Sequence, residues 1–176
     1  MQLGNTDYKI KSSFLSVEKD LALIVTKILE DKELQKLLYY PDNDCLQKPD
    51  LSQEQVFSLV GNQIRIVPKL EIESPCKCYV IVTFDNFTPS SNPQFRDNII
   101  TFDIICHYEQ WNLGDFKLRP YKIAGRIDGR INNKKLTGIG TVQFISAGNL
   151  IINDEMSGLS LVYQAVHGGE DTNENT

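Results

Sequence analysis

Three titratable side chains in one short segment carry the clearest possible acid–base chemistry of this sequence. Asp103, His107 and Glu109 are separated by even steps in FDIICHYE, so a strand projects them from the same face. Because a strand rises about 3.3 Å per residue, Asp103 and His107 lie roughly 13 Å apart, too far for direct proton transfer. His107 and Glu109, roughly 7 Å apart at their backbones, can form only a charge pair. We therefore expect a solvated sheet face or a subunit contact here.

The cysteines are the other residues that could do chemistry, as metal ligands. Cys76 and Cys78 are separated by one residue, whereas paired zinc ligands are commonly separated by two or more. Cys106 and His107 are adjacent, so a strand points them to opposite faces. The sequence also lacks a phosphate-binding loop and a Gly-x-Ser-x-Gly turn. We expect no metal, no cofactor and no enzymatic activity.

Residues 119–135, RPYKIAGRIDGRINNKK, carry the most informative pattern. Side chains of one type recur every four residues, which predicts one helix with distinct lines along its surface. One line faces the core, one lets another backbone approach closely, and one is basic. The three lines are Ile123, Ile127 and Ile131; Gly125 and Gly129; and Lys122, Arg126, Arg130 and Lys134.

The basic line has two interpretations, a solvated helix face or an electrostatic contact with an acidic neighbour such as another copy of the chain. Positions four apart drift by about 40° per step on a helix, so the line winds slightly around the cylinder. That geometry suits a contact that wraps and does not suit a flat duplex footprint. We predict that the basic line faces outward, either as a solvated face or as a subunit contact, and not as a DNA footprint.

Composition limits the class of protein. The chain has 176 residues and a net charge of −5, with 18 basic and 23 acidic residues. Three of the acids lie in the last nine residues, so the remainder is nearly neutral and lacks the basic excess of a nucleic-acid binder. Apolar runs are too short to span a bilayer, which predicts a cytosolic protein with reduced thiols. We expect an N-terminal arm at 1–15, one domain at 16–167 and a disordered acidic tail at 168–176.

Changes of hydrophobic period predict the elements of that domain. Helical spacing appears at 16–30, with Ser16 as a possible N-cap, and restarts at 31 until Pro41. Ser52 and Gln55 have the spacing of a capping box that opens a short helix to about Val60. Period two then predicts strands at 64–69, 79–85, 98–109, 140–146, 149–153 and 159–167.

The connections and faces of these strands complete the predicted fold. Residues 86–97 read as a long polar loop, and Ala147-Gly148 reads as a turn. The strand at 98–109 has a continuous apolar face, which is typical of a sheet packed on one side and open on the other. That face consists of Ile100, Phe102, Ile104, Cys106 and Tyr108. We predict an α+β fold, with a mainly antiparallel sheet and helices packed on one face.

Three stretches resemble the tail-terminator, or head–tail joining, proteins of long-tailed bacteriophages. They are FRDNIITFDIICHYEQW, LRPYKIAGRIDGRIN and GIGTVQFISAGNLIINDEMSGLSLVYQAVHG. The resemblance implies a ring-forming virion subunit, typically in six copies, at the head-proximal end of the tail tube. Its partners are then its own copies, the tail tube protein and a neck or head-completion protein. DNA passes through the lumen without specific binding, and assembly takes place in the host cytoplasm.

The resemblance implies contact roles for positions and no active site. The helix at 120–133 and the loop at 86–97 are candidates for subunit or neck contacts. The candidate side chains are Lys122, Arg126, Arg130, Lys134, Asp103, His107, Arg96 and Asp97. Other classes stay open, namely another head–tail connector such as a head-completion, stopper or tail-completion protein, a small enzyme, or a nucleic-acid-binding module that reads DNA with the basic line.

Overall fold

A computed structural model describes residues 14–66, 77–89, 96–136 and 140–166 of the chain. The predicted acidic tail at 168–176 and residues 1–13 of the predicted arm lie outside these ranges. The first helix begins at Phe14, so the last two residues of the predicted arm belong to this helix and Ser16 lies within it rather than at its N-cap. None of the described helices is long and apolar enough to cross a membrane.

The described residues form an α+β fold of four α-helices and six strands. The helices are α1 (Phe14–Leu29), α2 (Lys32–Tyr39), α3 (Gln53–Leu59) and α4 (Arg119–Ile131). The strands are β1 (Ile64–Arg65), β2 (Cys78–Pro89), β3 (Arg96–His107), β4 (Lys135–Leu136), β5 (Gly140–Ile151) and β6 (Met156–Val166). Short 3-10 helices occupy Cys45–Gln47 and Tyr108–Gln110.

The strands form one mixed, curled sheet in the order β1-β2-β3-β6-β5-β4. Only the short β1–β2 pair is parallel, and the other pairs are antiparallel, as predicted. The predicted loop at 86–97 is wrong at both ends, because Thr88 pairs with Asp97 and Pro89 with Arg96. Residues 90–95 lie outside the described ranges. Backbone pairing across the hairpin thus overrides the loop-like composition of these residues.

The helices cover one face of the sheet, and the apolar residues that were predicted to face them are buried. Ile100, Phe102, Ile104 and Cys106 of β3 have no exposed surface. Tyr108 departs from this pattern and is 58% exposed, because the chain turns into a 3-10 helix after His107.

The opposite face of the sheet is less open than its sequence indicates. Tyr79, Ile81 and Ile105 are buried there and form a small second apolar cluster. Leu150 and Met156 pack against it, because Ile105 and Leu150 both pair with Gly158, which has no side chain to separate them, and Met156 is two residues before Gly158 on the same strand. The expectation of one open, solvated face is therefore only partly correct.

The end of the sheet contains one long hairpin rather than three strands. β5 runs through Ala147-Gly148 without a turn, with its register shifted once by a bulge between Phe144 and Ser146. The predicted turn at 147–148 is wrong, because the hydrogen bonds to β6 hold these small residues in the ladder. The chain turns instead at 152–155, where the Asn153 side chain accepts hydrogen bonds from the backbone N–H groups of Glu155 and Met156.

Local signals for α2 and α3 agree with the structure. Both halves of the Ser52–Gln55 capping box are present, and Gly61, with φ +83°, follows the helix in the left-handed region. α2 is capped by Asp31, whose carboxylate accepts a hydrogen bond from Leu34 N–H.

The first residue of α4, Arg119, is fully buried and has no carboxylate partner among its hydrogen bonds. Its guanidinium donates instead to backbone carbonyl groups at the C-terminal end of α2 and in the segments that follow α2 and β3. The acceptors are Leu37 at 2.7 Å, Tyr40 at 2.8 Å, Pro41 at 2.9 Å, Asp42 at 2.7 Å and Gln110 at 2.9 Å. Carbonyl groups at a helix C-terminus carry partial negative charge and lack helical partners, so they stabilise the cation.

Gly158 is required by the close approach of β3 and β6. A Cβ added there would lie 1.8 Å from the carbonyl oxygen of Ile104 and 2.8 Å from its carbonyl carbon. Since both atoms are backbone, the strands would have to separate. We expect Gly158→Ala to lower the free energy of unfolding by about 3 kcal/mol in urea denaturation. In the matched control Gly148→Ala the new Cβ meets nothing within 4 Å, so a loss as large there would contradict this account.

Arg119 should resist conservative replacement. An ammonium offers three donors and no planar fork, so Arg119→Lys leaves some of the five carbonyl groups without a partner. We expect this substitution to lower the free energy of unfolding by about 2–4 kcal/mol, and Arg119→Met at least as much, in urea denaturation. The control is Lys117→Met at an exposed neighbour, with an expected change below about 0.5 kcal/mol. A change in Arg119→Lys no larger than the control would contradict the proposed role.

Candidate assembly interface

The three lines predicted on α4 have different environments. The isoleucine line is confirmed, because Ile123 and Ile127 are fully buried and Ile131 is 1% exposed. The helix ends four residues earlier than predicted, at Ile131, and Asn133 follows with φ 55°. Lys134 therefore lies in the segment between α4 and β4 and not on the helix.

The basic line pairs mainly with acids of its own chain, at the start of α2. Arg126 Nη2 lies 2.6 Å from Asp31 Oδ2, and Arg130 Nε lies 3.2 Å from the same oxygen. Lys122 Nζ lies 3.5 Å from Glu33 Oε2. The prediction of a uniformly outward basic edge is wrong, because α4 packs against α2 along this line. A charge reversal at Arg126 would therefore break an intramolecular ion pair and cannot isolate a subunit contact.

Asp31 holds the two arginines together. Its side chain is 3% exposed, whereas those of Arg126 and Arg130 are 36% and 34% exposed. Burial raises the pKa of this carboxyl, but hydrogen bonds from Arg126 and from Leu34 N–H outweigh burial, so the pKa is lower than its ordinary value. The same carboxylate thus caps α2 and ties it to α4.

A concave basic pocket of about 550 Å³ lies beside this ion-pair cluster. Its cationic side chains come from α1, α4, the segment after α4 and the start of β4: Lys27, Arg126, Arg130, Lys134 and Lys135. Within the described residues Lys134 and Lys135 make no ion pair, so this pocket keeps an excess of positive charge.

The glycine line of α4 is exposed. A Cβ built on Gly125 or Gly129 would meet nothing within 4 Å. Among the described residues no other backbone therefore approaches this line closely. Both glycines line the basic pocket, and Gly125 also lines a second cavity on the other side of the helix.

This second cavity is an apolar groove of about 490 Å³ between α4 and the β5–β6 hairpin. Its apolar lining comes from both elements: Tyr121, Ala124, Phe144, Leu159, Leu161 and Tyr163. Tyr163 is fully buried and stacks edge-on against Phe144, with ring centroids 5.6 Å apart. Burial, together with a 2.9 Å hydrogen bond to Asp128, raises the pKa of Tyr163, which keeps the phenol neutral.

β5 also forms an open edge of the sheet. Hydrogen bonds to the segment that contains β4 end at Val142, so among the described residues no strand pairs with the outer edge from Ile145 onward. Residues 140–153 contain no charged residue and no proline, although these are the usual protection of an edge strand. Ile145 and Ile151 are 48% and 79% exposed. This edge is therefore a template for pairing with another chain.

The segment before α4 is a tight hairpin at 112–118, closed by a bridge between Asn112 and Leu118. Its tip has three consecutive residues with positive φ: Gly114 at 80°, Asp115 at 48° and Phe116 at 58°. The side chain of Phe116 is fully exposed. The sequence reads only as a loop here, and no residue pattern reveals that the phenylalanine points outward.

The strand residues proposed from sequence do not form a common site. Asp103 accepts a 2.7 Å hydrogen bond from Ser160 Oγ. His107 Nδ1 accepts one from Glu109 N–H, and its Nε2 lies 3.9 Å from a Glu155 carboxylate oxygen. Asp103 and His107 thus have separate partners. The backbones of residues 96 and 97 belong to β3, and their side chains lie outside the described part.

The cysteines in the described part are buried and are not bonded to each other: Cys45, Cys78 and Cys106. Cys78 Sγ donates to Gln110 Oε1 at 3.3 Å, and burial raises the pKa of the Cys45 thiol. In the described ranges no group of three potential metal-ligating side chains lies close together. Cys76 of the PCKC segment lies outside these ranges.

A family model named YomW matches residues 31–165, which is well over half of the chain. The protein therefore belongs to the YomW family. Searches among curated proteins and among solved structures find no match. The match extends from the α2 cap to the penultimate residue of β6 and so includes the apolar groove, the open edge and the basic pocket apart from Lys27.

The ion-pair cluster predicts a pH dependence. Because the pKa of Asp31 is lowered in the folded state, its contribution is present above the unfolded value of about 3.9 and is lost as the pH falls through the folded value. Asp31→Asn keeps a capping acceptor but removes the charge, so we expect a loss of about 2 kcal/mol at neutral pH in urea denaturation. The loss of stability on acidification should be smaller in the variant. Asp115→Asn is the control, because its side chain is 91% exposed. A variant profile parallel to that of the wild type would contradict the assignment.

Proposed function

We propose that this YomW-family protein is a structural virion protein, a tail terminator that assembles as a ring at the head-proximal end of a phage tail tube. The ring stops tube growth and provides the surface that meets the neck or head-completion protein. DNA passes through its lumen and undergoes no chemical change. The chain acts by self-association and by contact with the tube protein, without a cofactor.

The observation that carries the proposal is the open edge of β5 next to the apolar groove. Monomeric proteins rarely leave a long, uncharged sheet edge and an adjoining apolar surface exposed, because both promote association. Strand pairing across the edge supplies main-chain hydrogen bonds, and the groove supplies apolar area. These features favour a subunit of an assembly over a freely soluble enzyme.

Two further observations support the phage assignment. The sequence resembles tail terminators over its central strand, α4 and the final hairpin, and the family name hints at a phage origin.

Self-assembly should be visible by light scattering. We expect a particle of about 120 kDa, corresponding to six copies of the 20.0 kDa chain. Ile151→Lys places a charge on the open edge and should shift the particle toward monomer, whereas Phe57→Lys, at an exposed aromatic of α3, should not. A chain that stays monomeric at all concentrations, also when polymerised tube protein is added, would contradict the proposed ring.

The terminator role is tested by measuring tube length and end binding in electron microscopy. Added to polymerising tail tube protein, the chain should shorten the tubes and label one end of each tube in electron microscopy. Ile151→Lys should do neither, and Phe57→Lys should behave as wild type. A ring that binds no tube would point to another head–tail connector instead.

A further inference from the structure

The hairpin at 112–118 and the apolar groove fit each other as knob and hole. We propose that Phe116 of one copy inserts into the groove between α4 and the β5–β6 hairpin of the next copy. This inference rests on the proposed self-assembly and specifies which two surfaces meet.

The local backbone conformation holds the Phe116 side chain in an outward position. Its side chain is fully exposed although phenylalanine is among the most strongly buried residue types. Its backbone and that of Asp115 lie in the left-handed region, which costs roughly 1–2 kcal/mol for each non-glycine residue. Strain of this kind persists only where the surrounding structure imposes it, and it concentrates at functional sites.

The surrounding structure imposes this conformation through hydrogen bonds. Leu113 N–H donates to Lys117 O at 2.9 Å, and Lys117 N–H donates back to Gly114 O at 2.9 Å. Gly114 N–H donates to Asn112 Oδ1 at 2.8 Å. The phenylalanine is therefore preorganised, so little conformational entropy is lost when it binds.

The groove offers a matching site in a different copy. Phe116 keeps its full exposure, so it does not fill the groove of its own chain. The groove has a floor of Leu159, Leu161 and Tyr163 and a volume of about 490 Å³, which accommodates an aromatic ring.

Charge complementarity favours one orientation of the inserted hairpin, in which Asp115 faces the basic pocket. Asp115 is adjacent to Phe116, and its side chain is 91% exposed. Gly125 lines both cavities, so a ring in the groove lets the neighbouring carboxylate reach toward the basic pocket across the glycine line. Lys134 and Lys135, which make no ion pair within the described part, are the available cations there.

The symmetry of such a contact agrees with a ring. The knob and the groove are different surfaces of the same chain, so the contact can repeat head to tail from copy to copy. Head-to-tail contacts close into rings when the rotation between copies allows it, because an open pair of copies still offers one unused knob and one unused groove to the next copy.

The first experiment measures self-association by light scattering over a concentration series. Phe116→Ala should weaken association at least about tenfold, as expected for an aromatic anchor. Phe57→Ala, at an exposed phenylalanine of α3, is the matched control and should leave association unchanged. Lys134→Glu should weaken association, and combining it with Asp115→Lys should restore part of the loss. Urea denaturation of each variant establishes that the fold is retained.

The second experiment traps the contact covalently. A chain with Asp115→Cys and Lys134→Cys, which keeps Phe116 as the anchor, in a Cys76→Ser background, should give a ladder of disulfide-linked copies beyond the dimer under mild oxidation. Either single cysteine alone should give no ladder. A particle that persists unchanged in Phe116→Ala, or a double-cysteine chain without a ladder, overturns the knob-and-groove contact and leaves the proposed ring intact. A wild-type chain that never associates overturns both.

Discussion

The buried guanidinium of Arg119 is the interaction on which the arrangement of the domain depends. A fully buried cation without a carboxylate partner is costly unless every donor is satisfied, and five carbonyl groups satisfy it here. Those carbonyl groups come from the end of α2, the loop after it and the segment after β3. The first residue of α4 therefore joins residues 37–42 to the segment after β3, which also positions the base of the 112–118 hairpin.

A second polar contact fixes the other end of the same helix pair. Asp31 starts α2 and binds Arg126 and Arg130 of α4, while the isoleucine line between them packs into the core. With Arg119 at one end and Asp31 at the other, α4 cannot slide along α2. This explains why the basic line lies along α2, and why the excess positive charge is found just beyond the helix, at Lys134 and Lys135.

Sequence patterns correctly predicted those structural features that are determined by interactions between residues close together in the chain. The isoleucines of α4, the inner face of β3 and the capping box at Ser52 are all confirmed, because each depends on residues within one element. The predictions failed where distant partners decide, as in the strand ends at 88–89 and 96–97 and the continuous β5, which composition alone presents as loop or turn. Asp31 could not be found as the partner of Arg126, because 95 residues separate them. The exposure of Phe116 likewise depends on the whole fold.

Three exposed apolar features of this protein, the Phe116 hairpin, the apolar groove and the open edge of β5, all lie next to α4. The hairpin that presents Phe116 leads into the helix, the groove lies along one side of it, and β5 forms the far wall of the groove. An uncharged edge alone would favour indiscriminate pairing, but the bulge before Ser146 limits the continuous stretch that another strand can match. A rigid aromatic knob and a preformed groove add a specific geometry to the edge. In the proposed assembly, specificity comes from parts that Arg119 and the sheet hold in place before a second chain binds.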